Sequence, residues 1–341
     1  AWSRRGRQRA WSRRGRLRAW SRRGRLRAWS REGLKPTRPA ESLERNRSAE
    51  TLEWKRSARL GSDRGHQCFM KRAAYNSKVS LCVRSYADLI SGSVKATGNW
   101  HECDVIFSIW NALPAQGEGG SGSDVFFDIG ANIGICSIEM ASRTSAAQVF
   151  AFEPSPRNQF YLTGTFLANP PLLGRLRLFP VGLGERPANL PIYADPTNWG
   201  HSVVGSPLGT DPQVVGVVQV RRLDDLVRPP YPQVRLAKID VEGFESRVLR
   251  GGRRLFSSGA VRAVFIELSP FLRGQGSSRH ELISLLLEFG FRFHDFSRAS
   301  AAISPIATWR LKLLACPGSN DRFDNLLAIF SGSPQPPLSR C

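Results

Sequence analysis

From Val79 to Phe330, hydrophobic runs of strand length alternate with amphipathic runs of helix length. VFFDI at 125–129 is followed by ICSIEMASR, QVFAFE by PRNQFYLTGTFLA, VRLAKID by FESRVLRG, and AVFIEL by HELISLLLEFG. Short unbroken apolar runs read as strands buried on both faces, and the longer periodic runs between them as helices. The alternation predicts an α/β fold: a mostly parallel sheet with helices on both faces. RLRLFPVGL supplies a third strand ending near Gly182, and FRFHDF and Phe323 to Phe330 are expected to close the sheet. The segments 182–220 and 270–280 show no clear period and are expected to shape a substrate pocket. Sheets of this kind bind ligands beyond the carboxyl ends of their strands, which confines the search for function to the residues just after each strand.

The N-terminal part follows a different rule. Residues 1–27 are three copies of a nine-residue repeat, AWSRRGRQR and twice AWSRRGRLR, with a decaying copy at 28–35. Nine residues turn a helix by about 900° and reverse the face of a strand, so Trp2, Trp11, Trp20 and Trp29 form no apolar stripe in either. We expect residues 1–35 to be a disordered basic arm, 36–78 a polar linker, 79–332 the folded domain and 333–341 a frayed tail. Arginine with interleaved Trp suits nonspecific polyanion binding, and a tandem duplication without a selected role is the alternative.

Charge follows the same division. The 341 residues carry a net charge of +21, yet residues 1–60 hold 20 basic and 5 acidic side chains, leaving +6 on the remaining 281. The high isoelectric point therefore belongs to the arm, not to a basic active site. No apolar run approaches the ~20 residues that span a bilayer core, and arginines stand where a signal peptide needs apolar residues. The opening at Ala1, within a repeat and without Met, leads us to expect an incomplete N-terminus; localisation is left open, cytoplasmic by default. Cys68, Cys82, Cys103, Cys136, Cys316 and Cys341 show no zinc-like spacing and are expected to be free thiols.

Four strand ends carry candidate chemistry. Asp128-Ile-Gly130-Ala-Asn132-Ile-Gly134 follows the first strand, where glycines permit a tight turn and a helix N-terminus offers unpaired N–H groups. The spacing is G-x-x-x-G, and the dinucleotide fingerprint fails at Asn132. Glu153 ends the second strand, where a carboxylate can accept two hydrogen bonds from a ribose diol; a solvated carboxylate at a helix N-terminus is the alternative. Gly182 at the third strand permits close approach of a flat base, or makes a simple turn. Asp240 and Glu242 leave the fourth strand two residues apart, so each raises the other's pKa and one can accept a proton near neutrality. A helix-capping role is the alternative for Glu242.

DIGANIG at 128–134, AFEPSPRN at 151–158, RRLDDLV at 221–227, KIDVEGFE at 238–245 and IEL at 266–268 resemble the FkbM family of S-adenosylmethionine-dependent methyltransferases, as does the stretch at 87–107. The resemblance covers about residues 79–330 and leaves out the arm. It implies a class I methyltransferase (Rossmann-like) sheet, S-adenosyl-L-methionine as cofactor, and a sugar or small natural-product-like hydroxyl as acceptor. It places Gly130, Asn132 and Gly134 beside the methionine part of the cofactor, Glu153 beside the ribose, and Asp240 and Glu242 at the methyl-transfer edge; Asp128, Gly182 and Asp240 complete the candidate cofactor-binding set. His201, in TNWGHSV, is a second candidate proton acceptor or an ordinary surface residue. No metal is expected, because nothing supplies a third ligand beside Asp240 and Glu242. The rival readings are a nucleic-acid methyltransferase that uses the basic arm and a non-catalytic polyanion-binding protein.

Overall fold

Phe126 and Phe127 are neighbours in the chain, fully buried, and packed on opposite sides of one sheet. That sheet belongs to a computed structural model that describes residues 67–338 apart from 87, 115–123, 145–146, 196–197, 208–212, 299, 301 and 317–322. The chain opens with a hairpin of β1 (Cys68–Arg72) and β2 (Ser80–Arg84), followed by α1 (Leu89–Thr97) and α2 (His101–Ala112). Then β3 (Val125–Ile129), α3 (Ile135–Arg143), β4 (Gln148–Phe152), α4 (Pro156–Leu167) and β5 (Leu176–Phe179) alternate. A strand-rich insertion follows: β6 (Gly182–Leu183), β7 (Ala188–Asp195), β8 (Asn198–Val204) and β9 (Gln213–Arg221). The alternation resumes with α5 (Leu223–Leu226), β10 (Val234–Ile239), α6 (Glu245–Gly251), α7 (Arg253–Ser257), β11 (Ala263–Leu268) and α8 (Arg279–Glu288). It ends with β12 (Phe291–Ser297), β13 (Ala302–Pro305), α9 (Thr308–Ala315) and β14 (Asp324–Phe330).

The main sheet runs β13-β12-β14-β11-β10-β3-β4-β5. β5, β4, β3, β10 and β11 are parallel, whereas β14 is antiparallel to β11 and to β12. Strand order turns back between β3 and β10, which opens a crevice above their carboxyl ends. Two apolar cores cover the two faces, one drawing on α6 to α8 and the other on α2 to α4. The α/β class and the mostly parallel sheet with helices on both faces are therefore as the sequence pattern predicts.

Local signals fix the helix starts. The Ser155 hydroxyl accepts from the Asn158 N–H and Pro156 occupies the first turn of α4, while Ser278 caps α8 by accepting from the Glu281 N–H. Asp88 does the same for α1 through the Ser91 N–H.

Several expectations change. The segment 182–220 is not irregular: it contains a second sheet in the order β6-β9-β7-β8. It buries one side only, so Val214 and Val217 are exposed while Val218 and Val220 are covered, and a partly wet strand lacks the continuous apolar run that marks a central one. β1 lies within the stretch expected to be linker, and pairs with β2 from Cys68 to Arg84. The carboxyl tail is docked as far as Leu338: the Gln335 N–H donates to the Leu287 carbonyl, and His280 Nε2 lies 3.0 Å from the Leu338 carbonyl. The repeat arm at 1–35 lies outside the described residues.

Among the described residues the cysteines are not free thiols. Cys68 is disulfide-bonded to Cys82 and Cys103 to Cys136, and Cys316 is disulfide-bonded as well. The partners stand 14 and 33 residues apart and are brought together only by the β1–β2 register and by packing of α2 on α3. Among the described residues no helix is long and apolar enough to cross a membrane.

Candidate active site

The crevice is walled by two loops that share a lysine. In the loop after β3, Gly130, Asn132 and Gly134 all have positive φ, and the N–H groups of Gly130 and Ala131 both donate to the Phe152 carbonyl at the end of β4. A Cβ on Gly130 would lie 1.8 Å from the Asp240 carbonyl oxygen, so the loops after β3 and β10 touch backbone to backbone there. Lys238 Nζ donates to the Gly130 carbonyl at 2.8 Å and lies 3.0 Å from Asp240 Oδ2 and 3.7 Å from Asp128 Oδ1. Burial alone would depress the Lys238 ammonium, but the carboxylates of Asp240, Asp128 and Glu102 outweigh it and hold the pKa above the ordinary lysine value.

Glu153 is 4% exposed and is the hub of the first wall. Its Oε2 accepts from the Asn132 N–H at 2.8 Å, and its Oε1 accepts from the Ser155 N–H at 2.8 Å and from Asn158 Nδ2 at 3.2 Å. Burial raises its pKa to about 7, against the pull of those donors. Two donors fill Oε1, so Oε2 has one acceptor position without a donor among the described residues, where the sequence reading gave the whole carboxylate to a ribose diol.

The loop after β10 is held from below. Glu245 Oε1 accepts from the N–H groups of Val241 at 3.1 Å and Gly243 at 3.0 Å, on either side of Glu242. Glu242 has φ of 54°, a left-handed conformation uncommon for a residue with a side chain, and persists because the loop is tied on both sides. Burial pushes the Glu245 carboxyl up to about 8.

Two adjoining cavities occupy the crevice. One is lined by Gly130, Asn132, Glu153, Gly182, Asp240 and Glu242, with Phe152, Val181 and Leu183 as apolar walls and Ser202 and Val204 of β8 closing it. The other, a cleft of about 770 Å³, is lined by Trp100, Glu102, Asn132, Asp240, Glu242 and Glu267, among others. Asn132, Asp240 and Glu242 face both. Of the residues singled out from sequence, Gly130, Asn132, Glu153, Gly182, Asp240 and Glu242 thus come together. Asp128 and Gly134 do not line either cavity: Asp128 is 1% exposed and accepts from Ser137 Oγ at 2.6 Å, and Gly134 begins α3 against Leu162. His201 lies in β8, and its side chain is outside the described residues.

The sequence reading missed Lys238 and Glu267 as site residues. Ile239 of β10 pairs with Ile266 of β11, so Asp240 and Glu267 are the next residues in the same register. A carboxylate at the end of a parallel strand was the available signal for Glu267, as it was for Asp240. Burial, followed by the charges of Asp240 and Glu242, drives the Glu267 carboxyl up to about 10. For Lys238 the signal was a cation near the carboxyl end of a central strand, two residues before Asp240.

Residues 128–293 match the family model described as the methyltransferase FkbM domain. These residues form an FkbM methyltransferase domain. The chain is 30% identical over 152 residues to the methyltransferase sdnD of Sordaria araneosa, covering 36% of this chain and 58% of that protein. It is 33% identical over 144 residues to methyltransferase 1 of Beauveria bassiana (strain ARSEF 2860), covering 36% and 56%. The chain thus spans little more than half the length of these curated relatives. A crystal structure of methyltransferase FkbM from Methylobacillus flagellatus KT is 17% identical, covers 65% of this chain and 48% of that one, and superposes with a TM-score of 0.38. Several cleft residues lie outside the FkbM match: Trp100 and Glu102 precede it and Asn325 follows it.

Proposed function

We propose that this chain is an S-adenosylmethionine-dependent methyltransferase acting on a hydroxyl group of a sugar or small natural-product-like acceptor. The observation that carries this reading is the junction of two cavities at Asn132, Asp240 and Glu242. The inner cavity, about 70 Å³ in this structure, carries the chemistry of a nucleoside site and has to widen to admit one. Gly130 and Gly182 keep side chains out of it, Phe152, Val181 and Leu183 give apolar surface for a flat ring, and Glu153 Oε2 retains an acceptor position for a ribose hydroxyl.

When bound there, S-adenosylmethionine supplies a methyl group already activated on a sulfonium. The protein's share of the work is orientation, exclusion of water and acceptance of a proton. Asp240 stands at the junction, its Oδ2 fixed by Lys238. Glu242, which lines both cavities and is held in a left-handed backbone conformation, would take the proton from the acceptor hydroxyl; His201 is the alternative acceptor. Asp240 and Glu242, at the junction of the two cavities, repel phosphates, which favours a neutral acceptor over nucleic acid.

The test is calorimetric titration of the full chain with S-adenosylmethionine, repeated with Glu153→Ala. Binding in the native protein, roughly tenfold weaker in the variant, is the expected result. Absence of binding in the native protein overturns the reading, and equal affinities overturn the ribose assignment.

A further inference from the structure

Arg84 of β2 is completely buried, the largest such side chain among the described residues, and it lies outside the FkbM match. Its two arms serve different partners. Nη1 is 3.3 Å from Asp88 Oδ2, and Nη2 donates to Asn158 Oδ1. Asp88 begins α1 and lines the outer cleft, whereas Asn158 lies in the first turn of α4 and lines the inner cavity. The guanidinium also rests 5.2 Å from the centre of the Tyr161 ring on the same helix.

Asn158 has two polar ends, and Arg84 determines which way they point. With Oδ1 engaged by the guanidinium, Nδ2 is the end that faces Glu153 Oε1, at 3.2 Å. Turned over, the amide would set an oxygen against a carboxylate and Nδ2 against a cation. The other Glu153 oxygen then takes the Asn132 N–H at 2.8 Å, which shapes the glycine loop. A continuous line runs Asp88, Arg84, Asn158, Glu153, Asn132. Each member except Arg84 lines at least one of the two cavities, and Arg84 joins the two sides.

We propose that Arg84 is a positioning residue for the cofactor carboxylate: acting through Asn158, it fixes Glu153 and ties the β1–β2 hairpin into the cofactor site. The inference rests on the cofactor reading above. Lysine cannot reproduce a planar fork that serves two partners, so Arg84→Lys retains the charge opposite Asp88 while withdrawing the oriented bond to Asn158.

The experiment is a double-mutant cycle on the full chain with Arg84→Lys and Asn158→Ala, read by calorimetric binding of S-adenosylhomocysteine and by thermal denaturation. Arg84→Lys is expected to weaken binding by roughly threefold or more, and to weaken it no further when Asn158→Ala is already present. Equal loss in both backgrounds, or none in the native one, overturns the proposal. A merely structural role would lower the melting temperature without this dependence of affinity on Asn158. If Arg84→Lys does not fold, Asn158→Ala alone decides, since it leaves the Arg84–Asp88 pair in place: unchanged affinity overturns the link. Hydrogen exchange at the Asn132 and Ser155 amides gives a readout that needs no ligand, and it should quicken in Arg84→Lys. A native protein that binds no S-adenosylhomocysteine, with exchange still responding to Arg84, defeats the cofactor reading and not this one; unchanged exchange defeats this one.

Discussion

Lys238 Nζ lies 3.0 Å from Asp240 Oδ2 and also donates to the Gly130 carbonyl, so one buried cation holds the end of β10 to the loop after β3. Replacing it by Met leaves Asp128, 1% exposed, without its cation. Stranding a buried charge costs about 3–5 kcal/mol. Lys238→Met should therefore shift the urea midpoint strongly downward, and adding Asp128→Asn should recover part of the shift. An unchanged midpoint for Lys238→Met would remove the lysine from this role.

Glu245 makes stability pH-dependent in an unusual direction. Its carboxyl rises from 4.5 to about 8 on folding, so between those values the native state holds a proton that the unfolded chain has released. Stability from this group is complete below about 4.5 and is lost as pH rises through about 8. Glu245→Gln keeps an oxygen for the Val241 and Gly243 amides and cannot ionise. It should flatten the decline in unfolding free energy between pH 5 and 8 by at least about 1 kcal/mol. Chemical denaturation across that range measures it, and identical slopes in the two proteins would count against the assignment.

Gly130→Ala meets two obstacles at once, a φ of 83° and a Cβ 1.8 Å from the Asp240 carbonyl. We expect a loss of about 2 kcal/mol or more in stability, with displacement of the loop that carries Glu242. Loss of cofactor binding in a variant that remains folded by circular dichroism is the informative outcome; native affinity would mean the two loops are not in contact.

The disulfide between Cys103 and Cys136 closes a longer loop than that between Cys68 and Cys82, 33 against 14 residues. On chain entropy the two are worth about 3.7 and about 3 kcal/mol. Cys103→Ser should therefore lower the denaturation midpoint more than Cys68→Ser, and peptide mapping without reductant should recover both cross-linked pairs. Such bonds persist in oxidising compartments, which argues against the cytoplasmic default. Recovery of alkylated free thiols at these positions would reverse that conclusion.

The parts of the molecule that were legible in the sequence are those governed by short-range rules. β3, β4, β10 and β11 are central strands buried on both faces, and they appear as unbroken apolar runs. Ser155 and Pro156 announce α4 within two residues. What stayed hidden depends on residues far apart in the chain. The one-sided strands β7 to β9 have a weak pattern, and the cysteine pairs have no diagnostic spacing. Asp128 sits in the most recognisable motif of the chain, yet its work is to hold Lys238 and Ser137, because the first strand turns that side chain inward. Glu267 carries no motif beyond a strand end, and its place beside Asp240 follows from sheet register.

β14, the final strand described, is threaded between β11 and β12. Assembly therefore stays incomplete until residues 324–330 have left the ribosome, and the half-built sheet carries two raw margins in the meantime. A version shortened ahead of Asp324 is accordingly not a smaller copy of the domain but an adhesive one, with backbone donors and acceptors on both flanks of the gap ready to recruit a neighbour.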